Sequence, residues 1–289
     1  MHSETAQEDA ALYVVATPLG NLQDVTLRAL SVLKSVDLIA AEDTRDTRHL
    51  LQHYAIGTRT MSLHEHNEPR AAERVLELLQ QGKSVALVSD AGTPAISDPG
   101  ALLVKRARDS GARVVPVPGP SALTAALSVA GLRTQEFVFL GFLPAQAAAR
   151  RRALERMRRL PFALVLYEAP HRVRETLADL AEVLGAARGI VIARELTKLF
   201  ESVHACGLGE AGAWLDGDPN RQRGEFVLVV EGAAVPDDTQ AEEGERVLGI
   251  LVAELPVKQA AQLAAAITGA RKNRLYQRAL ELKAVHDDE

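Results

Sequence analysis

Short apolar runs that end in glycine, proline or acidic residues and pass into amphipathic stretches fill the first half of the chain. Ala11–Ala16 (ALYVVA) ends in Thr-Pro-Leu-Gly-Asn, and Leu27–Leu33 then carries its apolar residues at helical spacing. Asp37–Ala41 leads into Glu42-Asp43-Thr44-Arg45 and a helix through Gln52. Ser84–Ser89 leads into a Gly/Pro-rich loop and a helix through Ser110, and Arg113–Val117 leads into Pro-Gly-Pro-Ser and a helix through Val129. Strands alternating with helices predict a parallel sheet covered by helices, because parallel neighbours need a crossover connection.

The pattern restarts near Gly131–Arg133. Phe137–Leu140 precedes a basic helix at Arg150–Arg159, the strand Ala163–Tyr167, a helix at Arg172–Leu184 and the strand Gly189–Arg194, and Glu225–Glu231 (EFVLVVE) closes this half. Its β-branched and aromatic strands predict a second α/β domain with a mixed sheet, and two sheets imply a cleft between them. Past the acidic linker Ala233–Gly244, helices are expected at Glu245–Leu255, Val257–Ile267 and Arg271–Lys283, jointed at Leu255-Pro256 and Thr268-Gly269. The expected organisation is a disordered leader (1–10), an N-terminal α/β domain (11–131), a C-terminal α/β domain (132–233) and a small helical segment (240–289).

Composition narrows the class. The 289 residues leave room for about two domains, and 47% hydrophobic with 25% charged residues is ordinary for a globular chain. The single cysteine, Cys206, has no intramolecular partner. Met1–Ala10 lacks the basic-then-apolar pattern of a signal peptide, and no stretch reaches the length of a membrane span. A cytoplasmic protein with no membrane partner is expected. The net charge of −5 argues against a nucleic-acid partner held by overall charge, but it hides two basic blocks. Arg150–Arg159 carries a local +5 and Arg271–Lys283 a local +4, which leaves −14 on the remainder. Each block reads equally as a phosphate-contacting surface or a solvated helix face.

Ligands of parallel sheets collect at the carboxyl ends of the strands, where loops meet helix N-termini. Here those loops read Thr17–Asn21, Glu42–Arg45, Ser89–Gly100 and Pro118–Ala122. None matches the dinucleotide fingerprint or the P-loop lysine pattern, so neither a nicotinamide cofactor nor a phosphoryl donor is indicated.

The segments ATPLGN, AAEDTR, VSDAGTPAISDPG, VPGPSA, LYEAPHR and ARELTK, spread from about Leu12 to Lys283 with the C-terminal helices, resemble the tetrapyrrole methylase superfamily. The resemblance is to its branch of ribosomal RNA small-subunit ribose 2′-O-methyltransferases. It implies S-adenosyl-L-methionine held between the two α/β domains, a homodimer, and 16S rRNA as partner, within the small ribosomal subunit. It also implies cofactor contacts at Pro18, Ala91, Gly92, Thr93, Ile96, Ser121, Ala122, Glu168 and Leu196. The residues agree in part: Gly92 has no Cβ to hold a ligand off the backbone, and small Ser121 and Ala122 leave space at a helix N-terminus. Relatives acting on tetrapyrroles show Gly-Gly-Asp where this chain has Ala91-Gly92-Thr93, so no carboxylate contact transfers to Thr93; Asp90 or Asp98 would replace it.

The reaction so implied is methylation of a cytidine ribose 2′-OH in the decoding region, and a weakly acidic hydroxyl needs a proton acceptor. Glu42, His64 and Asp98 are the candidates, with Glu42 and Asp43 reading equally well as helix caps. His64 and His66 alternate as on an extended segment, which also fits a metal pair, but no third ligand stands at suitable spacing and no metal is expected. Tyr167–Arg172 reads also as a plain strand-to-helix turn, and Glu195 with Lys198 as a surface pair. Arg45, Arg48, Arg151, Arg152, Arg156, Arg271, Lys272 and Arg274 are the candidate phosphate contacts. A methyltransferase of the same fold acting on a tetrapyrrole or other small molecule, and a non-catalytic RNA-binding protein, are the competing readings; the arginine-rich helix and helical tail favour RNA.

Overall fold

The computed structural model describes residues 10–132, 136–233 and 239–286. Residues up to Gly232 form one compact unit, and those from Ala233 form a second. Residues 1–9 of the polar leader and residues 234–238 of the acidic linker lie outside the described residues, and the rest of the linker from Thr239 is already helix.

The first sheet is built from β1 (Ala11–Val15), α1 (Leu27–Ser35), β2 (Leu38–Ala41), α2 (Thr44–His53), β3 (Thr60–Ser62), α3 (Glu68–Gln80), β4 (Val85–Val88), α4 (Ala101–Asp109), β5 (Arg113–Val117) and α5 (Ala122–Ala130). Its order is β3-β2-β4-β1-β5, and every neighbouring pair is parallel, as the alternation of strands and helices predicts. All four residues of β4 are buried, and β1 is buried but for one partly covered position, because helices cover both faces of a parallel sheet. One apolar layer, around Leu33, Ile39 and Leu51, packs under α1 and α2. The other, around Leu12, Leu87 and Leu103, packs under α3 and α4.

The second sheet is built from β6 (Phe137–Phe142), α6 (Ala147–Met157), β7 (Ala163–Glu168), α7 (Val173–Leu184), β8 (Gly189–Arg194), β9 (Ser202–Gly207), α8 (Leu208–Asp216) and β10 (Phe226–Val230). The order is β6-β7-β10-β8-β9, with β6 parallel to β7 and the other pairs antiparallel, so this sheet is mixed as expected. Leu164, Leu166, Ile190, Ile192 and Leu228 point into a core with α6, α7 and α8. Residues of the opposite parity, Val165, Val191, Ala193, Val227 and Val229, pack with Ala126 of α5. The helix that follows the first sheet therefore covers the second sheet's inner face.

Four elements escaped the sequence pattern, α8 among them. β3 is a three-residue edge strand, β9 is an edge strand of alternating exposure, and α3 begins directly after the polar run His64–Asn67 with Pro69 in its first turn. His64 and His66 are not on an extended strand: they lie in the turn that starts α3, where Asn67 Oδ1 accepts from the His64 N–H. Glu68 then reaches across to α4, whose first N–H groups at Leu102 and Leu103, with that of Gly100, donate to its Oε1.

The basic block at Arg150–Arg159 is corrected in part. Arg150 is 1% exposed, with its Nε 2.6 Å from Asp179 Oδ2 on α7. Arg151 Nε donates to the other oxygen of Asp179 at 2.7 Å and its Nη1 pairs with Glu182. These two arginines bolt α6 to α7, while Arg152 and Arg156 remain exposed. Arg150 is thus removed from any phosphate-contacting surface, and Arg151 is largely engaged within the protein.

The second unit consists of α9 (Thr239–Glu254), α10 (Val257–Thr268) and α11 (Lys272–His286). Leu248, Ala260, Ala261, Ala264, Leu275 and Ala279 form its small core. Gly269, at φ +73°, closes α10 in the left-handed region that glycine favours.

Removing Asp179 leaves two guanidinium groups without their shared partner, one of them fully buried. Asp179→Ala is expected to destabilise the protein by about 3–5 kcal/mol, whereas Arg151→Ala, which leaves the buried pair intact, is expected to cost far less. Urea unfolding followed by circular dichroism measures both.

Candidate functional site

The loops after β1, β4 and β5 are stitched into one floor. The Thr17 N–H donates to Gly92 O at 2.8 Å, the Gly92 N–H returns to Thr17 O at 3.0 Å, and the Thr17 hydroxyl donates to Ser89 O. Thr93 Oγ1 donates to Pro120 O. A Cβ on Gly119 would stand 3.1 Å from that of Ala16, so glycine permits the close approach of the loops after β1 and β5. Gly92, at φ +80°, presents bare backbone where a Cβ would stand 3.2 Å from Leu19 Cδ2.

Above this floor lies a cavity of about 510 Å³. Ala91, Gly92, Thr93, Ile96, Ser121, Ala122, Glu168 and Leu196 all line it, and so do Glu42 and Asp98. Pro18 does not; its neighbour Leu19 takes that place. His64 is also absent from the lining, and its buried Nδ1 has no hydrogen-bond partner. The second sheet contributes Phe142, Tyr167 and Val227, with Tyr167 Oη accepting from the Leu123 N–H in the first turn of α5.

Glu168 is held by the protein itself. Its Oε1 accepts from the Ala169 N–H and lies 3.2 Å from Arg172 Nε, and its Oε2 accepts from Thr176 Oγ1. It shapes the wall through these bonds, so a direct carboxylate contact to a ligand is not what its geometry offers. Leu196 sits between Glu195 and Thr197, both in the left-handed region at φ +51° and +68°. Lys198 bridges Glu195 and Glu225 and holds that turn, so this group is more than a surface pair.

The second loop divides its two acids. Asp43 caps α2, accepting from the Arg45 N–H and pairing with the Arg45 side chain, which holds its carboxyl well below the usual range, at about 2. Glu42 faces the cavity with no such partner. Burial, then the negative charges of Asp98 and Asp90, push it up to about 7. Burial likewise raises Asp98 to about 6, against the pull of a hydrogen bond from Ser89. Asp90, raised in the same direction by burial, accepts from the Asp43 N–H and so ties the loops after β2 and β4 together.

The profile described as Tetrapyrrole (Corrin/Porphyrin) Methylases matches residues 11–212. The chain belongs to the tetrapyrrole methylase family. A second profile, described as RsmI C-terminal HTH domain, matches residues 238–283. The chain is 51% identical over 280 residues, 97% of its own length and 98% of the relative's, to Ribosomal RNA small subunit methyltransferase I of Escherichia coli O157:H7. It is 53% identical over 272 residues, covering 93% and 96%, to the protein of the same name from Pseudomonas aeruginosa. Among solved structures, the methyltransferase CobJ aligns at a TM-score of 0.59 with 21% identity, over 78% of this chain and 95% of that one. Uroporphyrin-III C-methyl transferase from Thermus thermophilus, complexed with S-adenyl homocysteine, aligns at 0.57 with 17% identity, over 77% and 97%. At such identities these two establish the shared fold.

In this member of the family none of the first unit's candidate cations lines the cavity. Arg45 is 83% exposed and held by Asp43. Arg48, Arg152 and Arg156 are exposed, as are Arg271, Lys272 and Arg274 of the second unit, where Arg274 lies 3.7 Å from Glu245. Leu19, Phe142, His171 and Glu225 line the cavity without having been singled out by sequence, because each depends on a loop path or strand register that spacing does not show. Among the described residues no group of three or more His, Cys, Asp or Glu could hold a metal ion, and no helix is long and apolar enough to cross a membrane.

The raised acids have a signature in stability. An acid whose folded pKa exceeds its unfolded one contributes stability fully present below the unfolded value, and that contribution is lost as pH rises through the folded value. For Glu42 and Asp98 the window runs from about pH 4 up to about 7. The double variant Glu42→Gln/Asp98→Asn is expected to melt higher than the parent at pH 8 and to match it at pH 4 or below, as measured by scanning calorimetry.

Proposed function

We propose that this chain is a cytoplasmic S-adenosylmethionine-dependent methyltransferase that methylates the ribose 2′-OH of a cytidine in the decoding region of 16S rRNA. The observation that carries the reaction is the placing of Glu42, with a pKa near 7, on the wall of a cavity floored by bare loop backbone. The names and close identity of the bacterial relatives support ribosomal RNA as the substrate. The small ribosomal subunit as its setting, and a homodimer as the working form, belong to the same reading.

The cavity suits this cofactor. Its volume falls within the roughly 300–1,000 Å³ of small-molecule sites. Gly92 and Thr93 offer backbone, and Ser121 and Ala122 stand at the N-terminus of α5, where Ser121 makes no capping bond of its own. That helix end favours a carboxylate. Leu19, Ile96 and Leu196 supply apolar wall, and the acids Glu42, Asp90 and Asp98 favour a positively charged ligand. When bound, S-adenosylmethionine supplies a methyl group on a cationic sulfur.

The chain's own work is then to position a hydroxyl and take its proton. Glu42 fills the second role: near neutral pH about half of it is ionised, and it lacks the cation that silences Asp43 as a base. Burial first, and then the charges of Asp98 and Asp90, hold the Glu42 pKa up. Arg45, Arg48, Arg152 and Arg156 on the first unit, and Arg271, Lys272 and Arg274 on the second, are the cations offered to phosphates, with Arg151 in a secondary role because of its ties to Asp179 and Glu182.

Transfer of labelled methyl groups from S-adenosylmethionine, with unmodified small subunits, free 16S rRNA and uroporphyrinogen offered separately, tests this reading. Label is expected in RNA, in a dinucleotide that resists alkali, since 2′-O-methylation blocks hydrolysis there. Label in the tetrapyrrole alone would replace the reading with the small-molecule one. Single-turnover rates are expected to rise with pH through about 7, and Glu42→Gln to remove that limb and lower the rate about 10²- to 10⁴-fold with unchanged cofactor affinity. In the salt dependence of RNA binding, Arg152→Gln/Arg156→Gln is expected to reduce the slope of log K against log salt by about 1.4–1.8, the value for two lost phosphate contacts.

A further inference from the structure

β6 is an edge strand, and its last residue sits where strand alternation alone would not put it. Phe139 pairs with Val165 and Phe142 with Tyr167, while Leu166 faces Gly141, so Leu140 is an extra residue in the register. Without that bulge, residues three apart would point to opposite faces. With it, Phe142 joins Phe139 and Tyr167 on the inner face and lines the cavity. Gly141 makes the bulge possible: it adopts φ +61°, and a Cβ there would lie 2.7 Å from Ser97 Oγ on the loop after β4.

The re-aimed ring is neither core nor buried wall. Phe142 is 52% exposed. Tyr167 meets it nearly edge-on, with centroids 5.9 Å apart and the planes at 67°. Tyr167 is itself fixed by Phe139 and by the hydrogen bond from the Leu123 N–H. A half-exposed aromatic, steadied at its edge and open to a reaction cavity, has the chemistry that receives an unstacked base.

We propose that Phe142 is the stacking platform for an unpaired nucleobase of the RNA substrate, set by the Leu140–Gly141 bulge so that the attached ribose is presented to the cavity. This rests on the RNA reading above. It assigns a substrate-binding and specificity role to a residue outside the motifs that carry the family resemblance.

Phe142→Ala and Phe142→Leu are expected to lower kcat/KM for unmodified small subunits about 5- to 150-fold, the effect of losing one base–aromatic stack. Phe142→Trp is expected to stay within about threefold of the parent, and calorimetric S-adenosylmethionine affinity to stay unchanged in all three. Indole emission of Phe142→Trp is expected to be quenched by small subunits, with the parent, whose sole tryptophan Trp214 stacks on His204, as the blank. Full activity of Phe142→Leu would show that any apolar filler suffices, and a parallel loss of cofactor affinity would make Phe142 a cofactor wall; either overturns the proposal. Absence of any methyl transfer to RNA by the parent would overturn the functional reading, and the stacking role with it, whereas variants matching a parent that does transfer would overturn the stacking role alone.

Discussion

The reciprocal backbone hydrogen bonds between Thr17 and Gly92 fix the loops after β1 and β4, two adjacent strands of the first sheet, against each other, and the cavity floor is built on that join. Both partners have reasons to stay. Thr17 is buried and its hydroxyl is taken by Ser89 O, while Gly92 occupies a left-handed conformation that residues with a Cβ rarely adopt. Thr93 and Gly119 extend the join to the loop after β5, so the first turn of α5 is placed by the same set of contacts.

That placement couples the two sheets. α5 leaves the first sheet and packs its small residues on the inner face of the second, against Val165, Val191, Val227 and Val229. Tyr167 Oη meets the first turn of this helix, and Ser97 fits against the bulge at Gly141. The cavity walls thus come from both sheets, yet the contacts that set their spacing are a helix face and two loop contacts. Small side chains on α5 matter here because a bulkier face would move the sheets apart rather than leave room for a ligand.

The electrostatics follow from the same geometry. Parallel strands covered on both faces push polar groups to the strand ends, and here four acids gather there. Asp43 is neutralised by Arg45 and serves the backbone, Asp90 links two loops, and Glu42 and Asp98 are left partly buried without a cation. Sequence neighbours Glu42 and Asp43 consequently stand about five pH units apart in acidity. Environment, not residue type, separates the helix cap from the candidate base.

What the sequence determined by itself was set by local patterning. Buried strands such as Val85–Val88, the alternation with helices, and the loops that hold the cavity floor are all written in short runs of residues, and the small size of Gly92, Ser121 and Ala122 agrees with the places the resemblance implies for them. The helix Glu68–Gln80 escaped that reading behind the polar His64–Asn67 run, although Ala71, Ala72, Val75, Leu78 and Leu79 keep helical spacing after Pro69. Only tertiary structure decided the rest. Arg150 and Arg151 look like surface charge until α7 brings Asp179 against them, and only the fold shows that the Glu168 carboxylate on the cavity wall is held by Thr176 and Arg172. The bulge that turns Phe142 into the cavity depends on pairing with β7. In each case the deciding partner lies on another element or another turn of the chain, and long-range partners leave no periodic signal in the local sequence.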